Sequence, residues 1–402
     1  MEHKLRKEAV VLAAALLSLP TGAQRDKNYY TQIVRLADGS EVRLLPDDIA
    51  RVSVIKDNDW PQMTIDEYLT FNKAAELDSV KQWWHYDNLY NNEDFKDTIC
   101  IPSSEAWRKA TAAMKPYYQW APTLCGADFN NTTYINQIKS FNYSLGEYAA
   151  MHEKLLHLAP DAFGPEAIVS RQQVLNGEVT VVNNVPENYW KHDLTLDNWE
   201  DHYKMALQGS YHYGAPDTVY YFDNIKDLIR PSGGNISALQ HVNGTSFITV
   251  SPYGSYNKPE ILIRLPQPLS ATYDFYCVIA PENADFDTVS VARPNILNFR
   301  LYYGNESGEL QSYNFSADGT DNPKTQNINT AFTNDTTKVD SLYLGRFTFP
   351  VAYDGLPAEM APALYINCPI SVFNKTQMAE YTRTVRLSAI VMRLVREEQD
   401  NN

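Results

Sequence analysis

Cysteine is scarce in this sequence, with four residues in 402, at positions 100, 125, 277 and 368. So few cysteines do not make the disulfide framework of a small cross-linked secreted domain. Two alternatives remain open. Cys100 pairs with Cys125 and Cys277 with Cys368, or the four are buried free thiols, because an unpaired cysteine behaves as a small apolar residue.

Basic residues are also few. Lysine and arginine number 34 against 49 aspartates and glutamates, which gives a formal net charge of −15. A protein that binds phosphate backbones carries the opposite balance, so the composition excludes a nucleic-acid partner. Tyrosine, in contrast, is abundant at 27 residues.

Long hydrophobic runs are missing. The apolar run at residues 9–19 follows Lys4, Arg6 and Lys7 and precedes the small residues 21–23. It is too short to anchor the chain as a membrane span, and its flanks are typical of a signal peptide. We therefore expect residues 1–23 to be a signal peptide. We expect no transmembrane segment, and we expect the mature chain to begin at Gln24 and to be secreted.

The sequence lacks the motifs of common enzymes: G-x-S-x-G, H-E-x-x-H, a P-loop, G-x-G-x-x-G after a strand, and C-x-x-C. His152 and His157 are five residues apart, which does not align two metal ligands on one helical face. We predict no catalytic residue, no cofactor and no metal ligand. A pair of acidic residues of the glycosidase type stays open, because carboxylates are plentiful.

Two loops contain alternating oxygen-bearing side chains of the kind that calcium prefers. One loop contains Asn283, Asp285 and Asp287, and the other contains Asp318, Thr320 and Asn322. Neither has the full twelve-residue calcium loop, and the alternative is a polar turn held by its own hydrogen bonds.

One stretch, Asp97–Trp107, organises the first half of the chain. Residues 98–101 suit a buried strand, and Pro102 ends it because proline has no N–H to donate. Ser103 or Ser104 can cap the helix that follows, and Glu105 suits its first turn.

This stretch resembles the first conserved segment of fasciclin-type (FAS1) adhesion domains, which reads approximately T-V-F-A-P-T-[ND]-E-A-F. The positions that carry the resemblance are Thr98, Pro102, Ser104, Glu105, Ala106 and Trp107. The segment 176–185, beginning Asn176-Gly177, is similar to the closing hairpin of that family, N-G-x-[IV]-x-[VI]-[IV]-[DN]-x-[VI]. The resemblance covers roughly residues 60–190 and implies an α+β adhesion domain in which these motif residues are structural.

Residues 24–60 predict a small β leader, similar to the leaders of secreted proteins of Gram-negative gut-type bacteria, with a hairpin around Asp38-Gly39. A capping box at Thr64 and Glu67 starts the FAS1-like domain at residues 61–190. Trp83, Trp84 and Tyr86 form the densest aromatic cluster in the sequence. The cluster is either a surface on which a sugar stacks or part of the core packing.

The sequence predicts a helix over residues 139–158. It also predicts a linker over residues 191–216, with a helix at 198–207.

Residues 217–402 alternate apolar and polar side chains. The period of two predicts strands at 247–250, 260–265, 273–280, 298–303, 342–349, 363–367 and 383–394. Seven such strands separated by turns predict an antiparallel, jelly-roll-like β-sandwich. The last strand is the most apolar, so we place it in the middle of a sheet.

The predicted fold class is therefore α+β, a FAS1-like domain followed by a β-sandwich. The resemblance implies a secreted, non-catalytic adhesion protein with an extracellular protein or glycan partner, in the periplasm or on the outer-membrane surface of a Gram-negative bacterium. The alternative is a glycan-binding accessory protein that uses the C-terminal sandwich.

Overall fold

A computed structural model of the chain describes residues 32–35, 41–44, 60–84, 90, 92–121, 123–127, 138–141, 150–197, 212–213, 220–221, 229–232, 234–242, 245–252, 254–284, 291–356 and 360–396. These residues form mostly antiparallel β-sheets with a few helices. They pack into two compact units, divided at Ile101/Pro102, Leu158/Ala159 and Val181/Val182. The domains predicted from the sequence, residues 61–190 and 217–402, do not coincide with these two units, and the predicted domain boundaries stay a prediction.

In the part of the first unit that the structure describes there are one hairpin, two α-helices and a three-stranded sheet. The elements are β1 (Gln32–Arg35), β2 (Glu41–Leu44), α1 (Ile65–Phe71), α2 (Asp78–Trp83), β3 (Asp97–Pro102), β6 (Ile168–Val174) and β7 (Gly177–Val182). Strand β7 lies between β3 and β6. The capping box that the sequence predicts is present, because Thr64 Oγ1 accepts from Glu67 N while Glu67 accepts from Thr64 N.

The second unit contains the helices α3 (Ser104–Met114), α4 (Ala150–Leu156) and α5 (Lys375–Glu380), and two short strand pairs. The pairs are β4 (Leu124–Ala127) with β5 (Ile138–Phe141), and β9 (His212–Tyr213) with β10 (Tyr220–Tyr221). Among the described residues, no helix is long and apolar enough to span a bilayer.

Two larger antiparallel sheets make up the rest of the second unit. The front sheet has the order β11 (Ile229–Ser232), β14 (Glu260–Arg264), β20 (Ala363–Asn367), β16 (Ile296–Gly304) and β17 (Leu310–Asn314), and β18 (Phe332–Thr333) pairs with β16. The back sheet has the order β12 (Gly234–Val242), β13 (Thr245–Pro252), β21 (Val385–Leu394), β15 (Thr272–Ile279) and β19 (Asp340–Thr348), and β8 (Leu194–Leu196) pairs with β21.

Aromatic side chains join the inner faces of the two sheets. Phe275 on β15 contacts Phe315, which follows β17, with ring centroids 5.2 Å apart. Phe347 on β19 contacts Tyr303 on β16 at 4.7 Å. The chain crosses from one sheet to the other between β13, β14, β15 and β16. The predicted β-sandwich is therefore present.

The predicted strands of the second half match β13 to β16 and β19 to β21, and β21 lies centrally between β13 and β15, as its apolar sequence indicates. Two predictions of the first half are wrong in part. The predicted helix over 139–158 is helical at Ala150–Leu156, whereas Ile138–Phe141 pairs with β4 as a strand, because cross-strand hydrogen bonds override a weak helical pattern. The predicted linker contains β8, and its predicted helix at 198–207 lies outside the described residues.

Three of the four cysteines are buried free thiols: Cys100, Cys277 and Cys368. Of the two alternatives that the sequence leaves open, the structure shows free thiols at these three positions, and not the pairs Cys277–Cys368 and Cys100–Cys125. Apolar strands surround these thiols, which fill core volume as small apolar side chains do.

Burial raises the pKa of the Cys100 thiol to about 11 and also raises the pKa of Cys277. A buried thiol that holds its proton does not attack a disulfide reagent. We expect a thiol-reactive chromogenic disulfide at pH 8 to label at most one of the four cysteines in the native protein and all four in denaturant. Rapid labelling of two or more thiols in the native chain would contradict this expectation.

Candidate functional site

The front sheet carries a row of polar side chains on the face that points away from the sandwich core. In β16, Phe299 and Leu301 point into the core, so Asn298 and Arg300 point to the opposite face. Asn298 lies directly opposite Asn367 on β20, and Asn367 lies opposite Glu260 on β14. Because opposed side chains on neighbouring strands are close together, three strands present one continuous polar row.

This row lines a pocket of about 440 Å³. Five carboxamide side chains line it, together with Lys258, Glu260, Arg300 and Ser371; the carboxamides are Asn298, Gln326, Asn327, Asn367 and Gln377. We call this cavity the amide pocket. Its size falls within the range of small-molecule sites, and its lining is dominated by groups that both donate and accept hydrogen bonds.

Two amide oxygens in the amide pocket have no protein partner among the described residues. They are Oδ1 of Asn298 and Oε1 of Gln326, and both atoms are buried. Asn298 itself is 2% exposed. The Gln326 side chain is held firmly, because its Nε2 donates to the carbonyls of Phe299 at 2.8 Å and Phe315 at 3.0 Å. A buried acceptor without a donor costs free energy, and a donor that reached either oxygen would recover that cost.

Arg300 is fixed at the side of the amide pocket by neutral acceptors. Its Nε donates to Asn314 Oδ1 at 2.7 Å and its Nη1 donates to the Tyr302 hydroxyl at 3.4 Å. The same face continues into the buried cluster of Leu262, Tyr302, Ala363 and Tyr365. These four side chains are packed together beside the polar row.

Two loops border the amide pocket, and each presents an exposed aromatic ring. Tyr256 lies two residues before Lys258 and is 73% exposed, and Phe373 lies two residues after Ser371 and is 81% exposed. Their ring centroids are 5.8 Å apart with an interplanar angle of 32°. We call Tyr256 and Phe373 the rim pair. The loop of Tyr256 is fixed by Arg383, whose Nη1 donates to the Ser255 carbonyl at 3.1 Å.

The Cys368 thiol lines the amide pocket. Burial raises its pKa, whereas a hydrogen bond from the Ile370 backbone and the positive charges of Lys258 and Arg383 act in the opposite direction. The described residues contain no group of three or more histidine, cysteine, aspartate or glutamate side chains arranged to hold a metal ion.

The predicted aromatic cluster lies in the first unit. Trp83 ends α2, and Trp84 follows it, donates from Nε1 to Asp66 Oδ1 at 2.8 Å and contacts Tyr90 at 5.4 Å between ring centroids. Tyr86 lies outside the described residues. The structure thus brings Trp84 into contact with its own unit, and a binding surface at Trp83, Trp84 and Tyr86 stays a prediction.

The motif residues that carry the FAS1 resemblance form the local structure that the sequence predicts. Residues 97–102 form β3, in which Thr98 is exposed and Pro102 is buried, and α3 begins at Ser104. The cap is Ser103, whose Oγ accepts from Ala106 N at 3.3 Å. Glu105 is exposed and pairs with Lys109 at 2.8 Å, which lowers its pKa.

Asn176 and Gly177 are a structural centre of the first unit. Asn176 is fully buried; its Oδ1 accepts from Ile65 N at 2.7 Å, and its Nδ2 donates to the carbonyls of Tyr90 at 2.8 Å and Asn92 at 3.0 Å. Gly177 has φ +152°, and a Cβ there would lie 1.7 Å from the Asp97 carbonyl oxygen. Both residues therefore shape the turn between β6 and β7.

The second candidate calcium loop is a hydrogen-bonded turn. Asp318 Oδ1 accepts from Ser316 Oγ at 2.6 Å and from Thr320 N at 2.9 Å, and Asn322 Oδ1 accepts from Asn314 N at 3.0 Å. The oxygens of the loop are engaged in its own backbone, which is the alternative that the sequence left open. Asp285 and Asp287 of the first loop lie outside the described residues.

Sequence reasoning missed the amide pocket. The signal that was present is the alternation Asn298, Phe299, Arg300, Leu301, which places two strong polar groups on the outer face of a strand with a buried inner face. What periodicity does not give is the pairing of β16 with β20 and β14, which brings Asn367 and Glu260 beside Asn298.

No protein-family profile matches this sequence. No curated protein sequence matches it either. Among solved structures, this chain is similar to the CBM22-1–GH10 modules of endo-1,4-β-D-xylanase 10B from Clostridium thermocellum in complex with xylohexaose, with 10% identity and a TM-score of 0.26. The match covers 42% of this chain and 26% of the xylanase chain, so the chain spans about a quarter of that protein.

Two further similar structures are carbohydrate-binding modules. A xylan-binding domain of CBM 22 has 13% identity and a TM-score of 0.23, with 46% of this chain and 94% of that domain covered. A non-crystalline-cellulose-specific module, CBM28, has 10% identity and a TM-score of 0.19, with 41% and 86% covered. Similarity of this extent assigns neither a family nor a ligand to this chain.

Proposed function

We propose that this protein is a secreted, non-catalytic glycan-binding protein and that the amide pocket of its C-terminal sandwich holds the sugar. The observation that carries the proposal is the pair of buried amide oxygens, Asn298 Oδ1 and Gln326 Oε1, which no described residue hydrogen-bonds. A ligand with several hydroxyl groups supplies the missing donors.

The chemistry of the lining supports a sugar over an apolar ligand. Carboxamides donate and accept in one plane, and vicinal hydroxyls of a sugar do the same, so one carboxamide can meet two hydroxyls. The rim pair adds what a sugar also needs, which is an apolar face for its C–H groups. Tyr256 and Phe373 are both mostly exposed, and exposed aromatic rings in contact with each other mark a binding surface.

Replacement of Asn298 by leucine tests the proposal. We expect the dissociation constant for glycan to rise about tenfold, because one hydrogen bond to a buried acceptor is worth about 1–1.5 kcal/mol. The melting temperature should stay unchanged or rise, since a buried polar group without a partner is replaced by an apolar one of similar size. The measurement is a glycan-array screen with the full chain, followed by titration calorimetry and thermal unfolding of both proteins.

The matched control is Asn329→Ala, an exposed asparagine in the loop that supplies Asn327 but not itself part of the lining. Its glycan affinity should equal that of the unchanged chain. A leucine variant that melts normally and binds the glycan with full affinity would refute the amide pocket as the site.

A second candidate function is adhesion to an extracellular protein through the FAS1-like region. The observation that favours it is the strand–cap–helix of β3, Ser103 and α3 followed by the Asn176-Gly177 turn, because these elements have the local structure that the FAS1 resemblance implies. Silence of the full chain on the glycan array, together with saturable binding to immobilised matrix proteins, would favour adhesion over glycan binding.

A further inference from the structure

The charge of the amide pocket differs in sign from that of the whole chain. Among the described lining residues, Lys258 and Arg300 contribute two positive charges and Glu260 one negative charge, which gives a net charge of +1. The full sequence carries −15. Acidic side chains outnumber basic ones in this protein. Two basic side chains in one cavity therefore differ from the average charge of the chain, and they favour a negatively charged ligand there.

Arg300 has polar partners but no anionic one among the described residues. Its two hydrogen bonds end on the neutral oxygens of Asn314 and Tyr302. These bonds fix the plane of the guanidinium and use two of its five N–H groups. The guanidinium is thus oriented and half-buried, and no carboxylate of the described residues forms an ion pair with it.

An uncompensated cation in a cavity favours a ligand that brings the opposite charge. A neutral sugar would remove water from Arg300 and Lys258 without replacing it by a countercharge, which costs free energy. A carboxylate matches the planar fork of a guanidinium with two parallel hydrogen bonds and forms a strong charge-assisted pair. Lys258 adds a second positive charge at the same cavity.

We propose that the amide pocket selects an acidic sugar, a hexuronate unit within an oligosaccharide, and that Arg300 binds its carboxylate while the carboxamides bind its hydroxyls. This inference rests on the proposed glycan-binding function and specifies the ligand class of the same site. The rim pair then contacts a neighbouring sugar unit of the same chain. Arg300 is the specificity-determining residue in this arrangement.

The test compares uronate oligosaccharides with their carboxyl-reduced counterparts on the full chain. The probes are tetramers of galacturonate, of mannuronate and of glucuronate, each paired with the neutral tetramer made by reduction of its carboxyl groups, and titration calorimetry measures both affinities. We expect at least one uronate tetramer to bind ten times or more tightly than its neutral counterpart. Raising the salt from about 0.05 M to 0.5 M should reduce that preference, because screening weakens ion pairs.

Arg300→Gln should reduce the preference for the uronate tetramer over its neutral counterpart to less than threefold. The control Lys375→Met removes an equal charge from an exposed position on α5, outside the pocket lining, and should preserve the preference. The comparison of uronate and carboxyl-reduced tetramers uses the unchanged chain. It therefore tests the inference even if the Arg300→Gln variant does not fold.

Two results would overturn the inference in different ways. If neutral glycans bind as tightly as uronates and Asn298→Leu weakens both, the pocket binds glycan without selecting charge, and only the acidic-sugar inference fails. If no glycan of either kind binds the full chain, the proposed function fails and this inference fails with it.

Discussion

Replacement of Asn176 by alanine is expected to lower the free energy of unfolding of the first unit by about 2–4 kcal/mol. The side chain is fully buried and makes three hydrogen bonds to backbone groups that come from two separate segments, Ile65 and residues 90–92. Its removal leaves the first N–H of α1 without an acceptor, and such groups at a helix start have no partner within the helix. Urea unfolding followed by circular dichroism measures the loss.

Hydrogen–deuterium exchange shows where the effect occurs. Peptides that cover residues 60–84 and 92–101 should exchange faster in Asn176→Ala, whereas peptides of β15 and β16 should not change. Asn176→Asp should destabilise at least as much, because its carboxylate oxygen would face the two carbonyls that now accept from Nδ2. Asn184→Ala, at an exposed asparagine, is the control, and equal losses in Asn176→Ala and Asn184→Ala would contradict the role of Asn176.

Local rules predicted the fold where neighbouring residues decide the structure. The caps at Thr64 and Ser103 depend on residues three positions away, and both are present. The strands of the sandwich follow from a period of two, because one buried face imposes it regardless of which strand lies beside it. The helix predicted over 139–158 was wrong at its start because the opposite holds there: β5 depends on its pairing with β4, which local rules do not predict.

The candidate site was less predictable because it depends on strand order. Asn298, Asn367 and Glu260 come from three strands that are distant in sequence and adjacent in the sheet. Sequence analysis instead selected Trp83, Trp84 and Tyr86 by their density. A high local density of aromatic residues does not distinguish a binding surface from core packing. Trp84, for example, packs against the Tyr90 ring and donates a hydrogen bond to Asp66.

The rim pair was missed for the same reason. Tyr256 has one aromatic residue nearby in sequence, Tyr253, and Phe373 has none. They meet because the loop before β14 and the loop after β20 lie at the same end of two neighbouring strands of an antiparallel pair. Antiparallel pairing thus brings together one residue from each loop, beside the polar row that begins at Glu260.

Removal of both rings in Tyr256→Ala/Phe373→Ala should raise the dissociation constant for glycan roughly sixtyfold. If a sugar covers roughly 50 Å² of each ring, burial at about 25 cal/mol per Å² contributes about 1.25 kcal/mol per ring. Two rings contribute about 2.5 kcal/mol, which corresponds to that factor. Titration calorimetry of the full chain with the tightest ligand from the array measures it, and the melting temperature should hardly change because both side chains are mostly exposed.

Two matched variants separate ring stacking from a general loss of aromatic surface. Tyr343→Ala removes another exposed tyrosine, on β19 of the back sheet, which also contacts an aromatic neighbour, Tyr276, at 5.2 Å. Its glycan affinity should be unchanged. Tyr256→Phe keeps the ring and loses the hydroxyl, so it should bind within about twofold of the unchanged chain, since the expected contact is the ring face. If the double alanine variant binds glycan with full affinity, the sugar lies within the amide pocket alone and the exposure of the rim pair requires another partner.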